Sequence, residues 1–195
     1  MNAYGQTPNV PHPDASAAAG KSPHLVLVGL PGAGKTICGE LLAARLGRPF
    51  VDLDREIERM AGRSVTAIFD QLGESAFRDL ETEATRALDT LPPAIIAPGG
   101  GWIERQVNRE IARGTCRLVY LRVSPATALR RLGNQTASRP LLAGGDPAIN
   151  IATIFDRRGP LYMTSDAELD TEVLSPEEVV DRLVVLALRW REPVG

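Results

Sequence analysis

Residues 29–36 read Gly-Leu-Pro-Gly-Ala-Gly-Lys-Thr, which matches G-x-x-x-x-G-K-[S/T] at every position. No other stretch constrains the fold as strongly, because this loop works only between a strand and a helix. Both flanks have the right character. Leu25-Val26-Leu27-Val28 is an unbroken apolar run of the kind found in parallel strands covered on both faces. Lys35 to Leu46 has helical spacing, with Leu41, Leu42 and Leu46 read as one stripe. Glycines let the backbone wrap around a phosphate and aim its N–H groups inward, and the following helix adds its positive end. Lys35 supplies a charge for the β- and γ-phosphates and Thr36 a hydroxyl for Mg²⁺. The loop thus points to a nucleoside triphosphate with Mg²⁺, but does not separate a kinase from a switch or a motor.

The rest of the chain continues the alternation. Phe50 to Asp52, Ala94 to Ala97, Arg117 to Val123 and a weaker Ala167 to Leu169 read as strands. Glu56 to Ala61, Glu74 to Leu88 and Ile149 to Arg158 read as helices, and Ser124-Pro125 and Ser175-Pro176 as helix starts with Ser at the cap and Pro in the first turn. Residues 133–147 read as an irregular loop. This pattern predicts an α/β chain with a parallel sheet, whose ligands bind at the carboxyl ends of its strands. The 195 residues fit one domain over 24–190, after a flexible Pro- and Ala-containing tail at 1–23 and before a short C-terminal extension at 191–195. A net charge of −2 lacks the basic surplus of a nucleic-acid binder. Cys38 and Cys116 have no metal or redox spacing and read as buried, reduced thiols. No apolar run reaches membrane-span length and no signal peptide is evident, so a soluble, cytoplasmic chain is expected.

Four further motifs fall at strand ends or in loops. Asp52-Leu53-Asp54 ends the second strand. Alternation would put both carboxylates on one side, one for a metal shell and one for an acceptor hydroxyl; equally, Asp54 could cap a helix. In Gly73-Glu74-Ser75-Ala76-Phe77-Arg78-Asp79-Leu80-Glu81, Arg78 and Glu81 stand at i, i+3, either as a preset carboxylate fork or as a plain surface pair. Gly99-Gly100-Gly101 allows close backbone approach to a ligand or is a simple turn, with Trp102 beside it read as packing. Arg139-Pro140-Leu141-Leu142 lies in the glycine-flanked loop, where an Arg could swing onto transferring phosphates. The pair Arg157-Arg158 could also be dipole compensation at a helix end.

Together, in this order and spacing, and with Arg158-x-x-Leu161-Tyr162, these motifs resemble shikimate kinase over residues 24–190. The resemblance implies a three-layer α/β fold of the nucleoside monophosphate kinase type: a five-stranded parallel sheet flanked by helices, with a mobile lid. It implies transfer of the γ-phosphoryl group of ATP, with Mg²⁺, to the 3-hydroxyl of shikimate. By the same resemblance Gly32, Ala33, Gly34, Lys35, Thr36 and Ile37 hold phosphates, and Thr36 and Asp52 hold Mg²⁺. Asp54 meets the ring hydroxyls, Arg78 and Arg158 clamp the carboxylate, and Gly99, Gly100 and Gly101 offer backbone N–H groups. Val65, Phe69 and Phe77 line the ring, Arg131 lies against adenine, and Arg139 meets the phosphates. Lys35, Asp54 and Arg139 form the catalytic set. Many members carry an Arg just before the last helix, where this chain reads Glu172-Val173-Leu174-Ser175-Pro176. A small-molecule partner, a monomer, and no nucleic acid or membrane are expected. The alternatives are a related kinase for another acidic polyol such as gluconate, and a ligand-sensing module that has lost Lys35, Asp54 or Arg139; all three are present.

Overall fold

The computed structural model describes residues 22–133, 142 and 145–191. Arg139 and nearly all of the tail and the C-terminal extension lie outside the described residues. Strand β1 (His24–Val28) pairs in parallel with β3 (Ile95–Ala97) on one side and β4 (Cys116–Arg122) on the other. Strand β2 (Phe50–Asp52) adds to β3, and β5 (Ala167–Asp170) adds to β4. Among the described residues this makes one five-stranded parallel sheet, ordered β2-β3-β1-β4-β5. The chain's path switches sides at β1, which opens a crevice at the carboxyl ends of β1 and β3. Every residue of β1 and β3 is buried, as their unbroken apolar sequences require. His24 lies in that core, where its Nδ1 accepts from the Ala94 N–H at 3.0 Å and burial lowers its pKa.

Helix α1 (Lys35–Leu46) follows the glycine loop. It buries Cys38, Gly39, Leu42 and Ala43, while Leu41 is exposed. This corrects the predicted Leu41/Leu42/Leu46 stripe. Successive residues point about 100° apart, and packing on β3 and on α7 (Pro176–Arg189) selects the face one step away from Leu41. A Cβ on Gly39 would lie 2.6 Å from the Phe50 ring, so this helix can approach the sheet only at glycine.

Four helices differ from the sequence reading. Helix α2 (Leu53–Ala61) begins directly after β2, not at Glu56. Its cap is Asp52, whose Oδ1 accepts from the N–H groups of Asp54 and Arg55 at 3.1 and 3.2 Å. Asp54 therefore stands in the first helical turn, neither on a strand face nor at the cap. Helix α3 (Val65–Ala87) starts at a Ser64 cap and bends at Gly73, whose backbone is non-helical (φ 81°, ψ 170°). Only its second half was legible, because the glycine ends the periodicity. Helix α4 (Gln106–Thr115) was not anticipated; it buries polar Asn108 and small Ala112, and so shows no apolar stripe. Helices α5 (Pro125–Leu132) and α7 begin at the expected serine caps. Helix α6 (Pro147–Tyr162) extends past both predicted ends, so Arg157 and Arg158 are not at a helix end.

Cys38 and Cys116 are buried and free, and burial raises both thiols to about 11, which keeps them protonated. Among the described residues, no helix is long and apolar enough to cross a membrane. Trp102 is fully packed, and its Nε1–H donates to Thr85 Oγ1 at 2.8 Å. Thr85→Val leaves that donor buried and unmet, and should lower the unfolding free energy by about 1–3 kcal/mol, read from urea midpoints.

Candidate active site

The loop after β1 is shaped by left-handed glycines. Gly32 has φ 85°, and a Cβ there would also overlap the Ala128 carbonyl of α5. Lys35 arches back over the loop, its Nζ donating to the carbonyls of Gly29 (2.9 Å) and Leu30 (3.0 Å). Beyond the loop opens a cleft of about 740 Å³. Gly32, Ala33, Gly34, Lys35, Thr36, Ile37, Asp52, Asp54, Gly100 and Arg131 all line it, so the phosphate-side and acceptor-side residues share one space. Thr36 and Asp52 both line that cleft and bring oxygen atoms of the type Mg²⁺ takes. Among the described residues, no cluster of three or more His, Cys, Asp or Glu side chains forms a metal cage. Magnesium keeps waters and substrate phosphates in its shell and takes few protein ligands.

The glycine triplet after β3 gathers the acceptor side. A Cβ on Gly99 would lie 2.7 Å from Asp54 Oδ1, one on Gly100 3.0 Å from Arg158 Nη1, and one on Gly101 would overlap the Arg78 guanidinium. Three successive glycines thus border the three predicted acceptor residues, at Gly99 and Gly101 closer than a Cβ normally comes and at Gly100 at the limit of tight contact. The turn reading of this segment is insufficient; close approach is what requires glycine here.

Each arginine is held by its own acid. Arg78 donates to Glu81 at 3.2 Å and to Glu74 at 3.1 Å, and its guanidinium lies 5.4 Å from the Phe77 ring centre. Phe77 in turn meets Phe69 at 4.7 Å between ring centres. Glu81 is fully buried, so the pair is not the plain surface contact that spacing allowed. Burial pushes the Glu81 carboxyl up to about 7, against the opposing charge of Arg78. Arg158 is fully buried, its Nε–H on Glu104 while Arg157 meets the same carboxylate at 2.9 Å. Its Nη1 and Nη2 make no well-formed hydrogen bond among the described residues, the Tyr162 hydroxyl being the polar neighbour that feels its charge. A buried guanidinium with two open donors is arranged to receive an anion.

Sequence reasoning missed Glu104 and Glu172. Glu104 stands 54 positions from the Arg158 it holds, and no local spacing announces such a contact. Glu172 accepts from three donors of the α5 start, again across more than forty positions. Arg131 donates to the Thr171 carbonyl at 2.5 Å and lines the cleft with Leu174 and Pro176, on the side away from the triplet.

Comparison with known proteins agrees with this geometry. The family model described as shikimate kinase matches residues 31–187. The chain belongs to the shikimate kinase family. It is 39% identical to a shikimate kinase of Chromohalobacter salexigens over 88% of this chain and 96% of the relative. It is 43% identical to one from Rhodococcus jostii, over 84% and 96%. Among solved structures, shikimate kinase from Acinetobacter baumannii in complex with shikimate superposes with a TM-score of 0.81 at 33% identity, covering 87% of this chain and 95% of that one. A gluconokinase from Sinorhizobium meliloti reaches a TM-score of 0.52 at 17% identity, which reflects the common fold alone. The predicted fold of parallel sheet and flanking helices is the fold of the family.

The raised pKa of Glu81 sets a pH dependence. A carboxyl whose folded pKa exceeds its unfolded value of 4.5 adds most to stability below that value and loses the contribution as pH rises through about 7. Stability of the unmodified chain should therefore fall relative to Glu81→Gln between these pH values, by on the order of 3 kcal/mol. Denaturant unfolding of both proteins across that range measures it; parallel curves would contradict it.

Proposed function

We propose that this chain binds ATP with Mg²⁺ in the cleft over the glycine loop and transfers its γ-phosphoryl group to the 3-hydroxyl of shikimate. The observation that carries the reading is the glycine triplet, which gathers Asp54, Arg158 and Arg78, with Asp54 and Gly100 lining the same cleft as Lys35 and Thr36. Shikimate is a small ring with one carboxylate and three hydroxyls. Arg78 and Arg158 take the carboxylate as charge-assisted forks, Glu81 and Glu104 having already fixed their orientations. The apolar side of the ring rests by Phe69 and Phe77, and a glycine N–H of the triplet meets a hydroxyl.

Asp54 accepts the hydrogen bond of the reacting hydroxyl and aligns its oxygen with the phosphorus. Phosphoryl transfer is chiefly positioning and charge neutralisation. The Lys35 ammonium leaves the loop carbonyls for the phosphate oxygens, and the loop's N–H groups hold the phosphates. Thr36 and Asp52 would hold Mg²⁺, which when bound offsets the negative charge of the β- and γ-phosphates. Arg139 adds a further cation on the phosphates, and Arg131 forms part of the wall beside the base. The chain acts as a monomer in the cytoplasm.

The deciding experiment is Mg²⁺-dependent ADP release with shikimate, with gluconate and with no acceptor. Release that requires shikimate supports the reading; release with gluconate alone overturns the acceptor. Lys35→Ala should lower kcat by about 10³-fold or more with the fold retained. Arg78→Ala and Arg158→Ala should each raise the KM for shikimate by about 10²-fold, the scale of a lost carboxylate fork. Unchanged KM in both would remove the clamp.

A further inference from the structure

The connection between β5 and α7 carries Glu172, which does not itself line the cleft. Its carboxylate accepts from three donors at the start of α5: Ser124 N–H at 2.8 Å, Ser124 Oγ at 2.9 Å and Thr127 Oγ1 at 2.5 Å. Ser124 is the N-cap of that helix, so the negative charge also sits at the helix's positive end. Those bonds, the Ser124 backbone bond foremost, hold the Glu172 carboxyl down at about 2. It remains charged throughout the neutral range.

The same helix reaches back two turns later. Arg131 donates through Nη2 to the Thr171 carbonyl at 2.5 Å and to the Glu172 carbonyl at 3.3 Å. Helix α5 and the β5–α7 connection are therefore joined twice, and the cleft runs between and beside the joints. Arg131 and Leu132 come to it from α5; Thr171, Leu174 and Pro176 come from the connection and the start of α7. Helix α5 also bears on the phosphate loop, where the Ala128 carbonyl leaves no room for a Cβ on Gly32. A shift at the start of α5 would move the wall that Arg131 and Leu132 form.

We infer that Glu172 is a positioning residue for the nucleotide: by clamping the start of α5 to the β5–α7 connection, it sets the wall on which the nucleoside part of ATP rests. The inference builds on the proposed nucleotide site and adds the group that holds its far wall. Shikimate's groups lie by the glycine triplet, and the bonds of Glu172 to Ser124 and Thr127 involve none of them. Loss of the clamp should thus act on one substrate only.

Two variants test it, Glu172→Gln and the milder Thr127→Val, each compared with the full unmodified chain. Glu172→Gln turns an NH₂ toward donors and should weaken Mg–ADP binding, measured by calorimetry, and raise the KM for ATP by about 10-fold. Thr127→Val removes one donor and should give about 3-fold. In both, kcat and the KM for shikimate should stay within about 2-fold. Unchanged Mg–ADP affinity in both variants would overturn the inference. Equal weakening of both substrates with a lower melting temperature would also overturn it, by showing a merely structural staple. Should Glu172→Gln fail to fold, Thr127→Val decides alone. Failure of the unmodified chain to bind Mg–ADP would instead reject the nucleotide site itself, and the clamp's role with it.

Discussion

Two ionisable side chains, those of Glu81 and Arg158, have no exposed surface, and much of the site is arranged around keeping them there. Moving a charge out of water costs several kcal/mol even after relaxation, and breaking a buried pair costs about 3–5 kcal/mol because the remaining charge is stranded. Arg78 meets that need for Glu81, and Glu104 does so for Arg158. The glycine triplet then lets both guanidinium groups and Asp54 approach the backbone more closely than a side chain at those positions would permit without a shift. The remaining cost falls on the sheet core, where every residue of β1 and β3 is buried.

The parallel sheet explains why the two halves of the site meet. The phosphate loop follows β1, the triplet follows β3, and Asp52 ends β2 in register with Ala97 at the end of β3. Three consecutive positions in the sheet thus send their carboxyl ends to one edge. From β1 the chain runs to the edge strand β2, returns through β3 and then crosses to β4 on the other side of β1, so successive connections lie on opposite sides of β1 and a crevice opens there. Nucleotide-side groups come from the β1 and β4–β5 connections, and acceptor-side groups from β2, β3, α3 and α6. A change to either set can therefore alter one substrate and spare the other.

The glycine loop, the first strand and the serine caps were legible because each is a local pattern with a local cause: backbone freedom, continuous burial, an oxygen beside unpaired N–H groups. Arg78 with Glu81 was legible as a spacing, but its burial was not, and burial is what turns a surface pair into a preset fork. Of the Asp52-x-Asp54 pair, Asp52 ends the strand as read, but Asp54 belongs to the next helix. Alternation suggested a strand, whereas the Asp52 side chain captures two N–H groups and starts a helix at once. Helix α4 left no trace in the apolar pattern, since the residues it buries are a small one and a polar one that Thr82 satisfies.

By itself, the sequence determined that the chain builds a phosphate-binding loop on a parallel sheet, and which residue types stand ready to meet a carboxylate and hydroxyls. Motif order and short-range spacing are written in the chain, and their physics acts over a few residues. Only the tertiary structure decided that Gly99, Gly100 and Gly101 each border one of those residues, that Glu104 holds Arg158, and that Glu172 ties α5 to the wall of the cleft. Those contacts join positions some twenty to sixty residues apart. They exist because the sheet order brings the elements together and burial then makes each charge find a partner, and neither condition leaves a local mark in the sequence.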